Sequence, residues 1–140
     1  MITVSVDPRV GLRRLRVAAE SSELSALCAD HQIKLLVVFG SVLDSSRRPQ
    51  DLDIAVAFEP RVVTDLLQLV HDLVQLAGTE NVDVMDLGRA GPVARERALI
   101  GTTPLFESEP GAFTRTQMAA ITERMETAPL RQLDLELLAQ

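Results

Sequence analysis

The chain has no Tyr and no Trp, and aromatic residues make up only 3% of it. A single cysteine, Cys28, excludes an internal disulfide, a usage that suits a reducing compartment such as the cytoplasm. Its neighbours Leu24, Leu27 and Ala29 make it a small core residue on a helix rather than a reactive thiol. The two histidines, His31 and His71, have no second His or Cys at ligand spacing, so neither reads as a zinc ligand or as part of a Ser/His/Asp arrangement. There is no GxGxxG or Walker-type loop, no internal repeat and no low-complexity tract. No apolar run is long enough to span a bilayer, and the N-terminus carries no signal-peptide core, so neither a membrane span nor export is expected. Positive charge is the scarcer sign, 14 Lys and Arg against 20 Asp and Glu, for a net charge of −6. Such a balance is a poor match for direct nucleic-acid binding and a better one for a basic protein partner. Arg13, Arg14 and Arg16 form a small basic cluster that reads as a solvated helix face.

What is present is an ordinary globular composition, 46% hydrophobic over 140 residues, enough for one domain with a real core. The informative stretch runs from Leu35 to Phe58. It reads as a buried strand ending in Phe39-Gly40-Ser41, a polar loop marked by Asp44, Ser45, Ser46 and Pro49, and a second buried strand opening with Asp51-Leu52-Asp53. In a strand, residues two apart share a face, so Asp51 and Asp53 project together while Leu52, Ile54, Val56 and Phe58 project oppositely. Two like charges ~4 Å apart repel by about 1 kcal/mol in water and more at lower dielectric. A hard divalent cation such as Mg²⁺ relieves that repulsion and completes its shell with phosphate oxygens. Gly40 allows a tight turn and close backbone approach. A short helix starting near Val42 would aim its first N–H groups at an anion held in the turn. Asp83, alternating with Val82 and Val84 in a further short strand, joins the other two carboxylates if that strand pairs beside residues 52–58. Two carboxylates can hold metal, and a third can bridge a second metal or take a proton from an attacking hydroxyl; with two metals, in-line displacement at phosphorus is the natural chemistry.

Gly40-Ser41, nine residues, then Asp51-Leu52-Asp53, with Asp83 on a later strand, resembles the DNA polymerase β-like nucleotidyltransferases. It is most similar to the minimal members, the MntA-like antitoxins paired with HEPN-domain ribonuclease toxins, over roughly residues 20–107. That resemblance implies that Gly40 and Ser41 grip the triphosphate of ATP, that Asp51 and Asp53 ligate two Mg²⁺, and that Asp83 is the third carboxylate. It implies transfer of AMP from ATP to a hydroxyl, in the antitoxins a tyrosine of the HEPN toxin, with release of pyrophosphate. The lack of Tyr in this chain places any acceptor tyrosine in the partner. After Gly-Ser the family commonly has basic residues and a further Gly; this chain has Val42-Leu43-Asp44-Ser45-Ser46, with Arg47 and Arg48 as the cations that could compensate. The gap before Asp51 is also about one residue shorter than is common. Two alternatives follow: a binding-only antitoxin with an impaired nucleotide site, and nucleotidyl transfer to a small molecule.

The expected architecture is α/β (α+β), a mixed β-sheet with helices packed on one face and the polymerase β-like fold. It forms a single domain over 1–140, with a core about 20–107 and a helical extension 112–140. Along the chain we expect a short strand at Thr3–Val6, helix over 11–31 with a break or cap at Ser21-Ser22, strand 33–39, strand 52–58, helix 61–77 closed by Gly78, and strand 82–87. Helix 92–100 should end at Gly101, and Pro104 should confine strand 103–107 to an edge. A helix from Ala112 should break at Pro129, leaving an apolar tail that could contact a partner or a second copy of the chain.

Overall fold

The structure, a computed structural model, describes residues 7–140; the strand expected at Thr3–Val6 falls outside them. The elements are α1 (Pro8–Glu20), α2 (Glu23–Asp30), β1 (Ile33–Phe39), β2 (Leu52–Phe58), α3 (Leu66–Ala77), β3 (Val82–Asp86), α4 (Pro92–Leu99), β4 (Thr103–Glu107) and α5 (Ala112–Leu138). The strands form one sheet in the order β3-β2-β1-β4. β1 runs antiparallel to β2 and β4, and β2 runs parallel to β3. This is the expected mixed sheet of an α+β fold, with Pro104 on an edge strand.

Local chemistry sets the boundaries. Asp7 caps α1 by accepting from the Arg9 N–H at 2.9 Å, and Pro8 occupies the first turn. The Ser21 hydroxyl donates to the Ala18 carbonyl and accepts from the Glu23 N–H, so it takes over backbone bonding where α1 gives way to α2. α3 starts at Leu66, later than Arg61, because Asp65 is its cap and accepts from the Gln68 N–H at 3.0 Å. His31, at the end of α2, bonds Asp72 of α3 at 2.7 Å between Nε2 and Oδ2. Cys28 is fully buried, and that burial pushes its thiol up to about 12.

The sheet's two faces are both covered, whereas helices on a single face were expected. Leu36, Val38, Ile54 and Val56 meet α1, α2 and α3, whose Leu15, Leu24 and Leu69 are fully buried. Leu35, Val37, Ala55 and Ala57 meet Ala98 and Leu99 of α4 and Ala120 of α5. The physical reason lies in β1 and β2, which are apolar on both sides; Ala55 and Ala57 are small enough for helices to sit close above them.

α5 is the second difference. It continues through Pro129 to Leu138. Pro129 removes the backbone donor that would reach the Met125 carbonyl; close by, Thr127 Oγ1 donates to the Glu123 carbonyl at 2.8 Å and Arg131 Nη2 to the Arg124 carbonyl at 2.7 Å. The following Leu, Arg, Gln and Glu residues are good helix formers. Beyond Pro129, Leu130, Leu133, Leu137 and Leu138 are exposed. Among the described residues no helix is long and apolar enough to cross a membrane.

α1 crosses the sheet closely at Gly11, where an added β-carbon would lie 2.9 Å from Thr79 Cγ2 and 3.1 Å from Leu52 Cδ2. Gly11→Leu should therefore destabilise the protein by about 1–3 kcal/mol through overpacking. Helix propensity alone favours the change by roughly 1 kcal/mol. Urea unfolding decides between the two, with a lowered midpoint expected.

Candidate active site

β1 delivers the chain to Phe39, and Gly40 then turns it with φ +83° into a short 3₁₀ turn, Gly40–Leu43. The turn starts two residues before the helix expected at Val42. Gly is required here for two reasons. The backbone is left-handed, and a β-carbon on residue 40 would lie 2.5 Å from Asp53 Oδ2. Gly40 and Asp53 are thus packed backbone against carboxylate, which brings the Gly-Ser turn onto the acidic strand end.

The loop that follows is held by Asp44. Its Oδ1 accepts from the Ser46 N–H at 2.9 Å and the Ser46 hydroxyl at 2.6 Å. Arg9 reaches over from α1 and donates to the carbonyls of Asp44 and Arg47. The Ser46 hydrogen bonds, with smaller help from Arg47 and Arg9, hold the Asp44 carboxyl below the usual carboxylate range. Asp44 therefore closes the loop as an ionised side chain.

The acidic end is set by strand register. Asp53 pairs with Phe39 on one side and with Asp83 on the other. Asp51 immediately precedes β2 and is exposed, as is Asp83, while Asp53 is partly buried. Burial, then the charges of Asp83 and Asp51, raise the Asp53 carboxyl above its ordinary value. Among the described residues no three Asp, Glu, His or Cys side chains gather into a ready-made metal cage. The chemistry of the donor set nevertheless fits a hard divalent cation: carboxylate oxygens only, one of them made less comfortable as an anion by its acidic neighbours.

A cleft of about 430 Å³ opens at this point, within the ~300–1,000 Å³ range of small-molecule sites. Gly40, Ser41 and Asp53 line its base, and Asp44 and Arg47 one wall. Arg97 and Ile100, at the end of α4, form the rest of the rim. Arg48 is not part of this lining, and Asp51 and Asp83 flank Asp53 outside it. Sequence reasoning missed Arg97 and Ile100. Nothing local marks them, since they reach the cleft only because α4 covers the second face of the sheet, the face from which Asp53, Ala55 and Ala57 project.

A mixed sheet with a Gly-Ser turn packed on paired strand carboxylates is the framework of a nucleotidyltransferase. The family model described as polymerase beta, nucleotidyltransferase, matches residues 22–110, and the chain belongs to that family. None of the curated proteins matches it. Among solved structures, a toxin–antitoxin complex with AMP-PNP contains a chain 19% identical, with a TM-score of 0.67 over 84% of this chain and 96% of that one. A structure of tri-AMPylated Shewanella oneidensis HEPN toxin in complex with MNT antitoxin gives 18% identity and a TM-score of 0.66, covering 90% of this chain and 99% of that one. An MntA–HepT toxin–antitoxin structure gives 17% identity and a TM-score of 0.66, covering 89% and 99%. At these identities the likeness shows the fold.

Two substitutions test the site's geometry. Gly40→Ala pushes a methyl into the Asp53 carboxylate and should lower nucleotide transfer by about 10²-fold, the cost of a displacement of order 1 Å, read from initial rates. Asp53→Asn removes the crowded charge and should raise the melting temperature by a few degrees while abolishing transfer. Added Mg²⁺ should raise the melting temperature of the native protein and leave that of Asp53→Asn unchanged, measured by differential scanning fluorimetry.

Proposed function

We propose that the chain transfers AMP from ATP to a hydroxyl of a HEPN-type toxin, a tyrosine being the expected acceptor, and acts in the cytoplasm as that toxin's antitoxin. The observation that carries the reading is the pairing of Asp53 with Asp83 across β2 and β3 beside the close Gly40–Asp53 contact. Structures that share the fold, an AMPylated HEPN toxin with its MNT antitoxin and a toxin–antitoxin complex with AMP-PNP, support the partner and the substrate.

In this reading Asp51, Asp53 and Asp83 would hold two Mg²⁺ arriving with the nucleotide. Bound metal would neutralise charge on the phosphates and lower the cost of bringing an oxygen nucleophile to phosphorus. Gly40 and Ser41 hold the phosphates against the turn, and Arg47 adds positive charge from the loop, with Arg48 next to it. The acceptor oxygen bonds to the α-phosphorus as the bond from that phosphorus to pyrophosphate breaks. In this reading Asp83, exposed and paired with Asp53, takes the acceptor's proton. Positioning and electrostatics supply the rate, with no covalent intermediate on this chain.

One observation favours a second reading, in which the fold only binds and masks the toxin. The ionised Asp44 lies on the cleft wall and opposes a polyphosphate. The deciding experiment supplies ATP labelled at the α-phosphate, Mg²⁺ and a lysate of the source cells to the native chain and to the Asp51→Ala/Asp53→Ala variant. A labelled protein band with the native chain alone is expected. No label, together with a partner still co-purifying and toxin still neutralised by the variant, would overturn transfer in favour of masking.

A further inference from the structure

We propose that Arg97, at the end of α4, is a nucleotide-binding residue that grips the phosphate tail of ATP and supplies the positive charge missing from the Gly-Ser turn. The inference rests on the cleft being the nucleotide site proposed above.

The charges around the cleft carry it. The turn itself, Gly40–Leu43, contains no cation, and the loop after it puts the ionised Asp44 on the wall. Asp53 adds a second acid, so the cleft has two anionic side chains before any polyphosphate enters. Two cations line it, Arg47 and Arg97. Arg47 lies close enough to Asp44 to help hold that carboxyl in its charged form, so part of its field is already directed at an acid of the protein. Arg97 forms no ion pair among the described residues.

Its neighbours are committed elsewhere. Arg95 bonds Glu123 of α5 and the carbonyls of Leu87 and Ala90, and Glu96 pairs with Arg124 at 3.3 Å. These pairs bind α4 to α5, and Gln117 of α5 also donates to the Leu99 carbonyl at 2.8 Å. Ala98 and Leu99 are fully buried beneath. Just after α4, the Thr102 hydroxyl donates to the Val38 carbonyl, two residues before the Gly-Ser turn. Arg97 is therefore an exposed side chain on a well-anchored helix end, lining the same cleft as Ser41 and Asp53, with its guanidinium uncommitted among the described residues. A guanidinium so placed suits bidentate contact with phosphate oxygens.

The competing explanation is that Arg97 only complements the negative end of the α4 dipole, as cations in a last helical turn do. That role has no preference for a ligand with more phosphates. Binding of AMP-PNP and of AMP to the full chain with Mg²⁺, measured by isothermal titration calorimetry, separates the two. Arg97→Ala should weaken AMP-PNP by about 10–100-fold, the scale of a charge-assisted contact, and AMP by less than about twofold. Arg97→Lys, which keeps the charge and loses the fork, should fall between native protein and Arg97→Ala. Unchanged AMP-PNP affinity in Arg97→Ala, or an equal loss for AMP and AMP-PNP, overturns the assignment while leaving the nucleotide site in place. A native chain that is folded by circular dichroism yet binds neither nucleotide overturns the nucleotide reading of the cleft and this assignment with it.

Discussion

A carboxylate oxygen of Asp53 lies 2.5 Å from where a β-carbon on Gly40 would be. That contact joins the two halves of the site, the turn suited to phosphate and the strand end suited to metal, and most of the surrounding structure serves it. It requires β1 and β2 to be antiparallel neighbours in a register that sets Phe39 opposite Asp53. It requires a residue without a side chain at position 40, in a left-handed conformation. It also requires a partly buried acid with two acids beside it, an arrangement that works against stability on its own. Crowded acids of this kind are common where a fold is organised for catalysis.

The rest of the molecule offsets that local cost with packing. β1 and β2 are apolar on both sides and are covered on both, by α1, α2 and α3 beneath and by α4 and α5 above. The fully buried Leu, Ile and Val of these two strands make the centre of the sheet rigid, and the acids stand at its end, where the strands meet solvent. The first part of the loop, Asp44 to Arg47, is held separately, by the Asp44–Ser46 bonds and by Arg9 reaching across from α1. Asp44 thus has a structural task in the loop, and the cations that line the cleft, Arg47 and Arg97, come from that loop and from α4.

The fold was legible where the signal was local. Gly40-Ser41, Asp51-Leu52-Asp53 and Asp83 lie at fixed places on short strands, and alternation alone assigns each acid to a face. Gly78 as the end of α3, the serine break between α1 and α2, and Pro104 on an edge strand follow from backbone chemistry. Ala55 and Ala57 carry no local sign that a helix lies on them, because segments far along the chain decide it. Two local features oppose stronger local signals: the cap at Asp65 sits inside apolar helical spacing that runs from Arg61, and the intrinsic penalty of Pro129 is outweighed by the good helix formers that follow it.

Local sequence by itself determined which residues could do chemistry here: a glycine that turns, a hydroxyl beside it, and three acids on strands of matching alternation. The reason is that strand geometry and glycine's conformational freedom act within a few residues. Only the tertiary structure decided which of these residues meet and what else joins them. The parallel pairing of β2 with β3 put Asp83 beside Asp53, and the packing of α4 on the second face brought Arg97 to the cleft. Those outcomes depend on burying apolar surface between segments far apart in the chain, a sum over the whole core that no short stretch of residues contains.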